Sequence, residues 1–526
     1  MKVENPVLPG FNPDPSFVKA GEDYYIATST FEWFPGVCIY HSRDLVNWEI
    51  VSYVLTDETE FDIKGMDTAC GIWAPNLTYD KGIFYLLYTI VYTNRSRYKD
   101  THNFMVTATD VKGPWSKPVP LSKTGFDPSL FHDVDGRKWL VNMMLDYRLD
   151  KKRFGGVLVQ EYDEKRKKLT GPVYNVFKGS EIGTTEGPNI FYHDGYYYLV
   201  MAEGGTDFKH CTTMCRAKAI TGPYEPCPYN PILTSFGKEG VRLKRAGHSQ
   251  IIQGKDGNWY MAHLCSRTLD DCSILGRETA IQNMRYTKDK WFVLADNDTG
   301  TPNDCFTIPV QVERWTKKSG FVDFSREGIN LDYMTLRQPL KALGIRTEDG
   351  RLKIRGGNSL CSKYNVGYLA RRQQHFSYDY TVKMVFEPEN YCHMAGVACY
   401  YNYDNYFYGY LSKDDDGREY VLAVSCENRE LKESDKVYVD FGGKDFYFKV
   451  QVREREAQFY YSLDGKNFAP FGDMLDMHIL SDERISGNGF TGAMVGVTCQ
   501  DLGGTGCEAQ IYWVDYQPVE DLSYNL

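Results

Sequence analysis

The sequence predicts an all-β protein: a five-bladed β-propeller followed by a β-sandwich. Two observations in the first half carry the propeller. One hairpin-like pattern recurs five times before residue 300, and no long stretch there has the apolar period of an amphipathic helix. A third observation carries the sandwich. From about residue 325 the repeat stops, and alternating apolar and polar segments with frequent turns take over.

The five copies follow one another along the chain. They read DPSFVKAGEDYYIA from Asp14, APNLTYDKGIFYLLY from Ala74, DPSLFHDVDGRKWLV from Asp127, GPNIFYHDGYYYLVM from Gly187 and GHSQIIQGKDGNWYMA from Gly247. Each begins with a small or turn-forming residue, runs apolar, turns through polar residues, and returns as an aromatic-rich apolar run. That is the composition of a β-hairpin. The starts are about 50–60 residues apart, slightly above the blade length of common propellers. Further β-type segments lie between the copies, at 37–51, 103–121 and 213–233. Two of them share a Gly-Pro-aromatic turn, GPW and TGPY, at the same place in their repeats. Such units arranged around an axis put the start of every hairpin at the centre.

In the second half, FSYDYTVKMVFEP, HMAGVACYYNYDNYFYGYL, DFYFKVQVREREAQFYYSLDG and AQIYWVDYQP alternate in the manner of half-buried strands. The expected division is a propeller over 1–310, a connection within 305–330, and a concanavalin- or lectin-like sandwich over 325–526. A chain of 526 residues is too long for one ordinary core.

Composition narrows the partners. With 60 Lys and Arg against 70 Asp and Glu, the net charge is −10 and no basic run stands out, which argues against nucleic acid and anionic membranes. No apolar run is long enough to span a bilayer. Aromatic residues make up 15% of the chain, with 40 Tyr, as suits sheets or surfaces that stack on sugars. The 14 Cys form no CxxC pair. His210, Cys211 and Cys215 in HCTTMC are a weak metal signal, and buried free thiols in a reducing compartment are the plainer reading. The start MKVENPVLPG lacks a leader pattern. The expected location is therefore cytoplasmic, or periplasmic or secreted where a leader has been removed.

Acidic residues open three of the five copies: Asp14, Asp127 and, one residue before the equivalent place, Glu186. An Asp before Pro commonly just starts a turn. Here Asp14 and Asp127 hold the same position in different repeats, so a propeller would bring them together. Three crowded acids raise at least one pKa, which sets a proton donor beside an ionised partner. Glycoside hydrolysis needs such a pair. Trp73 before the second copy and Phe31 in STFEWFPG are candidates for stacking on a sugar. His248 in AGHSQ and Arg277 in LGRETAIQ are candidates for polar contacts.

At these residues the chain resembles glycoside hydrolase family 43, and within it the β-xylosidases with a C-terminal sandwich. The matching stretches are NPVLPGFNPDPSF, STFEWFPGVCIYHSRDLVNW, GIWAPNL, FDPSLFHD, TTEGPNIF, RAGHSQI and LGRETAIQ, with YLARRQQHFSYDY and FTGAMVGVTCQDL in the second domain. The resemblance implies an inverting hydrolase that removes terminal β-D-xylosyl residues from xylo-oligosaccharides or arabinoxylan fragments. Asp14 resembles the general base, Glu186 the general acid, and Asp127 the third acid that keeps Glu186 protonated and orients it. Phe31, Trp73, His248 and Arg277 match positions that line the sugar subsite. Phe490, in GNGFTGAMVG, is the candidate aromatic with which a sandwich loop closes the pocket.

Relatives acting on arabinan often carry an axial calcium near the position of His248. The xylosidase-like members need not carry it, so no required metal or cofactor is expected; a structural calcium and a homo-oligomer are both compatible with the sequence. The alternative activity is that of an α-L-arabinofuranosidase, alone or beside xylosidase. Retaining fructan hydrolases share the propeller and the three acids, but their NDPNG, Arg-Asp-Pro and Glu-Cys motifs stand here as NPDPS, FDPS and TEGP. A non-catalytic carbohydrate-binding propeller is opposed by the presence of all three acids.

Overall fold

The computed structural model describes residues 1–57, 61–94, 96–315, 320–487 and 489–519. Each of the five copies folds as the hairpin its pattern predicts, and each hairpin supplies the first two strands of one antiparallel sheet. Blade I is Ser16–Ala20, Asp23–Thr28, Gly36–Ser42 and Glu49–Leu55. Blade II is Gly71–Asp80, Ile83–Thr93, Asp100–Ala108 and Val119–Pro120. Blade III runs Ser129–His132, Lys138–Leu145, Phe154–Asp163 and Lys168–Phe177. Blade IV is Glu186–His193, Tyr196–Glu203, Cys211–Ala217 and Glu225–Pro226, with Leu233–Thr234 added on Cys211–Ala217. Blade V is Lys244–Gln253, Trp259–Ser266, Glu278–Tyr286 and Phe292–Leu294. The apolar runs pair across each hairpin, as in Phe17 with Ile26, Leu77 with Leu86 and Ile190 with Leu199, and this buries them between blades.

The blades are stitched to one another near the axis by residues two places into each copy. The Ser16 hydroxyl donates to Leu77 O and Gln250 Oε1, and Leu77 N donates back to Ser16. Leu130 N donates to Asn76 Oδ1, the Ser129 hydroxyl to Pro188 O, and Asn189 Nδ2 to Ser249 O. Phe17 N also donates to Gln250 Oε1, so blade V is joined to blade I and the ring is complete. At the rim, Lys2–Glu4 pairs with Cys305–Thr307.

That pairing places the first part of the predicted connection in the propeller. Its far end also differs from expectation: Phe321–Asp323 already pairs with the last sandwich strand, Glu508–Pro518. The sandwich has two antiparallel sheets. Their facing sides bury Val382, Phe448, Val450, Val397, Val495 and Ile511 in one core. One sheet begins in the propeller: Trp33–Phe34, from the loop inside blade I, pairs with Tyr333–Leu336. Among the described residues the one helical element is the short turn Met477–Leu480.

The domain contact is built from buried groups. Trp33 is fully buried, with ring centroids 6.1 Å from Tyr368 and 6.0 Å from Tyr400. Arg372 Nε donates to Phe11 O at 2.7 Å. Gly10 leaves no room for a side chain, because a Cβ there would lie 2.6 Å from Gln373 O. Arg245 Nη1 donates to Asp482 at 2.6 Å, and its other terminal nitrogen reaches Glu483. In the motif YLARRQQHFSYDY, Tyr368, Arg372 and Gln373 therefore meet the propeller, while Leu369, Phe376, Tyr378 and Tyr380 fill the sandwich core.

Candidate active site

The hairpin starts meet at one end of the propeller axis and line a cavity of about 410 Å³. Asp14, Asp127 and Glu186, from blades I, III and IV, all face it, together with Phe31, Trp73, His248, Arg277 and Phe490. Every predicted site residue is thus brought to one place. Backbone conformation aims three of them. Asp14, Asp127 and His248 have φ of 55°, 51° and 49°, and the equivalent Gly187 has 59°. Left-handed φ is unfavourable for these side-chain-bearing residues, more so before Pro15 and Pro128, and such strain concentrates at functional sites.

Asp14 is held on both oxygens. Arg277 Nη1 donates to Oδ1 at 2.8 Å and the Ser29 hydroxyl to Oδ2 at 2.6 Å. Burial pushes this carboxyl up, but Arg277 foremost, with the Ser29 hydrogen bond, outweighs burial and holds it below its ordinary value. His248 Nδ1 lies 3.8 Å from Asp14 Oδ1. Burial and the Arg277 charge hold this imidazole below its ordinary pKa.

The other two acids go the opposite way. Burial raises Glu186 from 4.5 to about 7, with Asp14 adding to the rise and Lys99 opposing it. Asp127 is also raised, first by burial, then by Glu186 and Asp14. Burial is the first cause for both acids, and the repulsion between Asp127 and Glu186 adds to the rise of the pair. Asp127 Oδ2 accepts from Gly187 N at 2.9 Å, which fixes it to the strand that carries Glu186. Beneath that strand, buried Glu203 accepts from the hydroxyls of Ser180, Thr185 and Thr213.

The aromatic wall spans both domains. Phe31 is anchored by a two-way backbone bridge to Ile72. Its ring centroid is 6.0 Å from Trp73 and 5.7 Å from Phe490, and Trp73 meets Phe490 edge-on at 5.4 Å. Arg277 Nη2 donates to the Phe490 carbonyl at 3.0 Å. The sandwich loop thus closes one side of the pocket against the same guanidinium that holds Asp14.

Known proteins decide the family. The description "Glycosyl hydrolases family 43" matches residues 3–292. The chain belongs to glycosyl hydrolase family 43. A second description, "Beta xylosidase C-terminal Concanavalin A-like domain", matches residues 322–517. Xylosidase/arabinosidase 43B of Humicola insolens is 42% identical, over 99% of this chain and 98% of that protein. The β-xylosidase of Bacillus subtilis (strain 168) is 40% identical, over 98% and 100%. The crystal structure of a xylan β-1,4-xylosidase from Bacillus halodurans C-125 superposes with a TM-score of 0.95 at 41% identity, covering 98% of this chain and 100% of that one.

Other lining residues of this family 43 pocket went unread in the sequence. Phe126 meets Trp73 edge-on at 5.2 Å. It stands just before Asp127, as Trp73 stands just before the second copy and Glu186 before Gly187. Repeat equivalence alone would have found it. His248 shares the positive φ of Asp14, Asp127 and Gly187, so the structure starts the fifth copy at His248; the residue before it is Gly247, where a Cβ would lie 2.6 Å from the His210 ring. Lys99 sits 4.3 Å over Trp73 and 5.0 Å over Phe126. Burial and Arg153 push its ammonium down to about 8. Lys99 and Arg153 come from loops with no pattern to mark them.

Neither metal suggestion of the sequence finds a fitting donor set. Burial lowers His210 to about 3, and its Nδ1 faces Arg245 O at 3.0 Å. Burial also raises the Cys211 and Cys215 thiols, which opposes the thiolate a metal needs. Under the acids, the axis holds a cavity of about 20 Å³, enough for one water. Its Ser16, Asn76, Ser129, Asn189 and Gln250 side chains are engaged between blades. Calcium asks for six to eight oxygens, which this ring does not offer without breaking its stitches.

Proposed function

We propose that this chain is an inverting exo-β-xylosidase acting on xylo-oligosaccharides from the non-reducing end. The observation that carries the proposal is the pairing, on one cavity, of a carboxyl bonded to Arg277 and Ser29 with a second buried carboxyl from another blade. Asp14 is held ionised by Arg277, and Glu186 is held protonated chiefly by burial. Asp14 takes a proton from a water as that water attacks the anomeric carbon. Glu186 gives its proton to the departing oxygen from the other face of the ring. Asp127 sits beside the donor and shares in its proton balance. Arg277 and Ser29 orient the base, and Phe31, Trp73 and Phe490 exclude bulk water and cover the sugar's apolar face. Each positioned acid or base contributes about 10²–10⁴-fold.

Walls on several sides suit one terminal sugar better than the middle of a polymer. The relatives named β-xylosidase support the sugar. A second reading, α-L-arabinofuranosidase activity beside xylosidase, is favoured by the Humicola relative's double name. Proton NMR of xylobiose hydrolysis tests the first reading. Early α-xylose from the non-reducing unit is expected. Early β-xylose in excess of that freed with the reducing unit would overturn inversion, and no release would overturn the substrate. The ratio of rates on nitrophenyl β-xyloside and α-arabinofuranoside decides the second.

A further inference from the structure

A second cavity, of about 420 Å³, adjoins the first and shares Lys99, Arg153 and Glu186 with it. Glu186 lines both cavities, whereas Asp14 lines only the first, so the second lies on the proton donor's side. Its lining carries Lys99, Lys152, Arg153 and Lys178 against Glu181 and Glu186. This is unusual in a chain of net charge −10. Two loops concentrate the basic residues there. Arg97, two residues before Lys99, donates to the carbonyls of Asp146, Tyr147, Arg148 and Lys151 and so pins the 146–153 loop beside the cavity. The acids of that loop are already occupied, Asp146 by Arg148 and Asp150 by Lys151.

The four cavity cations are not balanced in the same way. Arg153 Nη2 donates to Ser96 O at 3.3 Å, and Lys99 lies over the Trp73 and Phe126 rings. Among the described residues, none of the four is in an ion pair. Burial and neighbouring like charges lower both Lys99 and Arg153. Lys152, Arg153 and Lys178 are solvent-exposed and Lys99 is half-buried, so an anion entering the cavity meets several cations that no carboxylate among the described residues pairs. A neutral xylosyl unit would need hydroxyl contacts there, not four cations.

We propose that this cavity receives a carboxylate on the leaving-group side, so that the enzyme prefers xylo-oligosaccharides whose penultimate xylose bears a uronic acid branch. The inference rests on Glu186 being the proton donor and adds the substrate class of the neighbouring cavity. Arg153 and Lys178 grip the carboxylate, Lys152 adds charge at the mouth, and the terminal xylose remains unsubstituted in the acid pocket.

The test compares kcat/KM for a uronate-branched xylotriose and its methyl ester, which keeps the shape and removes the charge. The acid should be favoured about tenfold at low salt, and the preference should shrink as salt rises. In the double variant Lys152→Gln, Lys178→Gln the preference should fall towards one. Equal rates, a faster ester, or a preference untouched by the double variant would overturn the proposal while leaving xylobiose hydrolysis intact. Should no xyloside be hydrolysed, calorimetry on the Glu186→Gln protein still decides it. Tighter binding of the acid than of the ester supports the cavity's role, and equal binding refutes it.

Discussion

The guanidinium of Arg277 donates to Asp14 Oδ1 at 2.8 Å through Nη1 and to the Phe490 carbonyl at 3.0 Å through Nη2. One side chain from blade V therefore sets the charge of a blade I carboxylate and the position of a sandwich loop. Replacing Arg277 with Gln removes the main influence that lowers Asp14. The acidic limb of kcat/KM should move to higher pH. At neutral pH, kcat/KM should drop by at least about a hundredfold, since a close charge-assisted bond is lost in a buried site. A profile with an unmoved acidic limb would show that Asp14 is not the group titrating there.

Glu186 links activity to stability. Its pKa is raised from 4.5 to about 7, so the folded chain holds a proton that the unfolded chain releases. Between those values stability must fall as pH rises. Glu186→Gln removes this burden and should be the more stable protein at pH 8, by up to about 3 kcal/mol. It should also lose turnover, more on xylobiose than on nitrophenyl xyloside, whose leaving group needs less protonation. Thermal melts at pH 4 and pH 8 and the two substrates check both halves.

Phe490→Ala removes the sandwich's contribution to the aromatic wall while leaving the propeller intact. Losing a ring that covers the sugar should cost about 1.5–3 kcal/mol of binding, read as a ten- to hundredfold lower kcat/KM. Circular dichroism should stay unchanged. Full activity would mean that the sandwich supports the propeller but not the substrate.

Arg245 is buried and faces Asp482 and Glu483 across the domain contact. Arg245→Leu strands two carboxylates near one another and should cost about 3–5 kcal/mol. Adding Asp482→Asn and Glu483→Gln should recover much of that loss. Denaturant melts of the single and triple variants measure both steps.

The five copies were legible because both strands of each hairpin are buried, so the apolar runs are long and alike. Blade III's outermost strand, Lys168–Phe177, is mostly exposed, and its sequence carries no such run. Trp33–Phe34 could not be read as part of the sandwich, because a two-residue strand has no period and its partner lies some three hundred residues away. The three acids were visible through repeat equivalence, and Phe126 was visible by the same rule. Lys99 and Arg153 were not: charged loop residues look alike in a sequence, and only the packing of two loops brings these into the pocket. The opposite shifts of Asp14 and Glu186 also depend on partners far along the chain, above all Arg277.

The order of synthesis gives the Asp14–Arg277 contact a further meaning. Arg277 follows Asp14 in the chain by 263 positions, and Phe490 comes later still. At about 5–20 residues per second, the carboxylate waits roughly a quarter to most of a minute for its cation, and longer for the loop that shields it. A chain that has not yet reached Arg277 therefore holds Asp14 without the partner that lowers it. The Asp14–Arg277–Phe490 arrangement therefore forms only after residues from both domains have been made and have met.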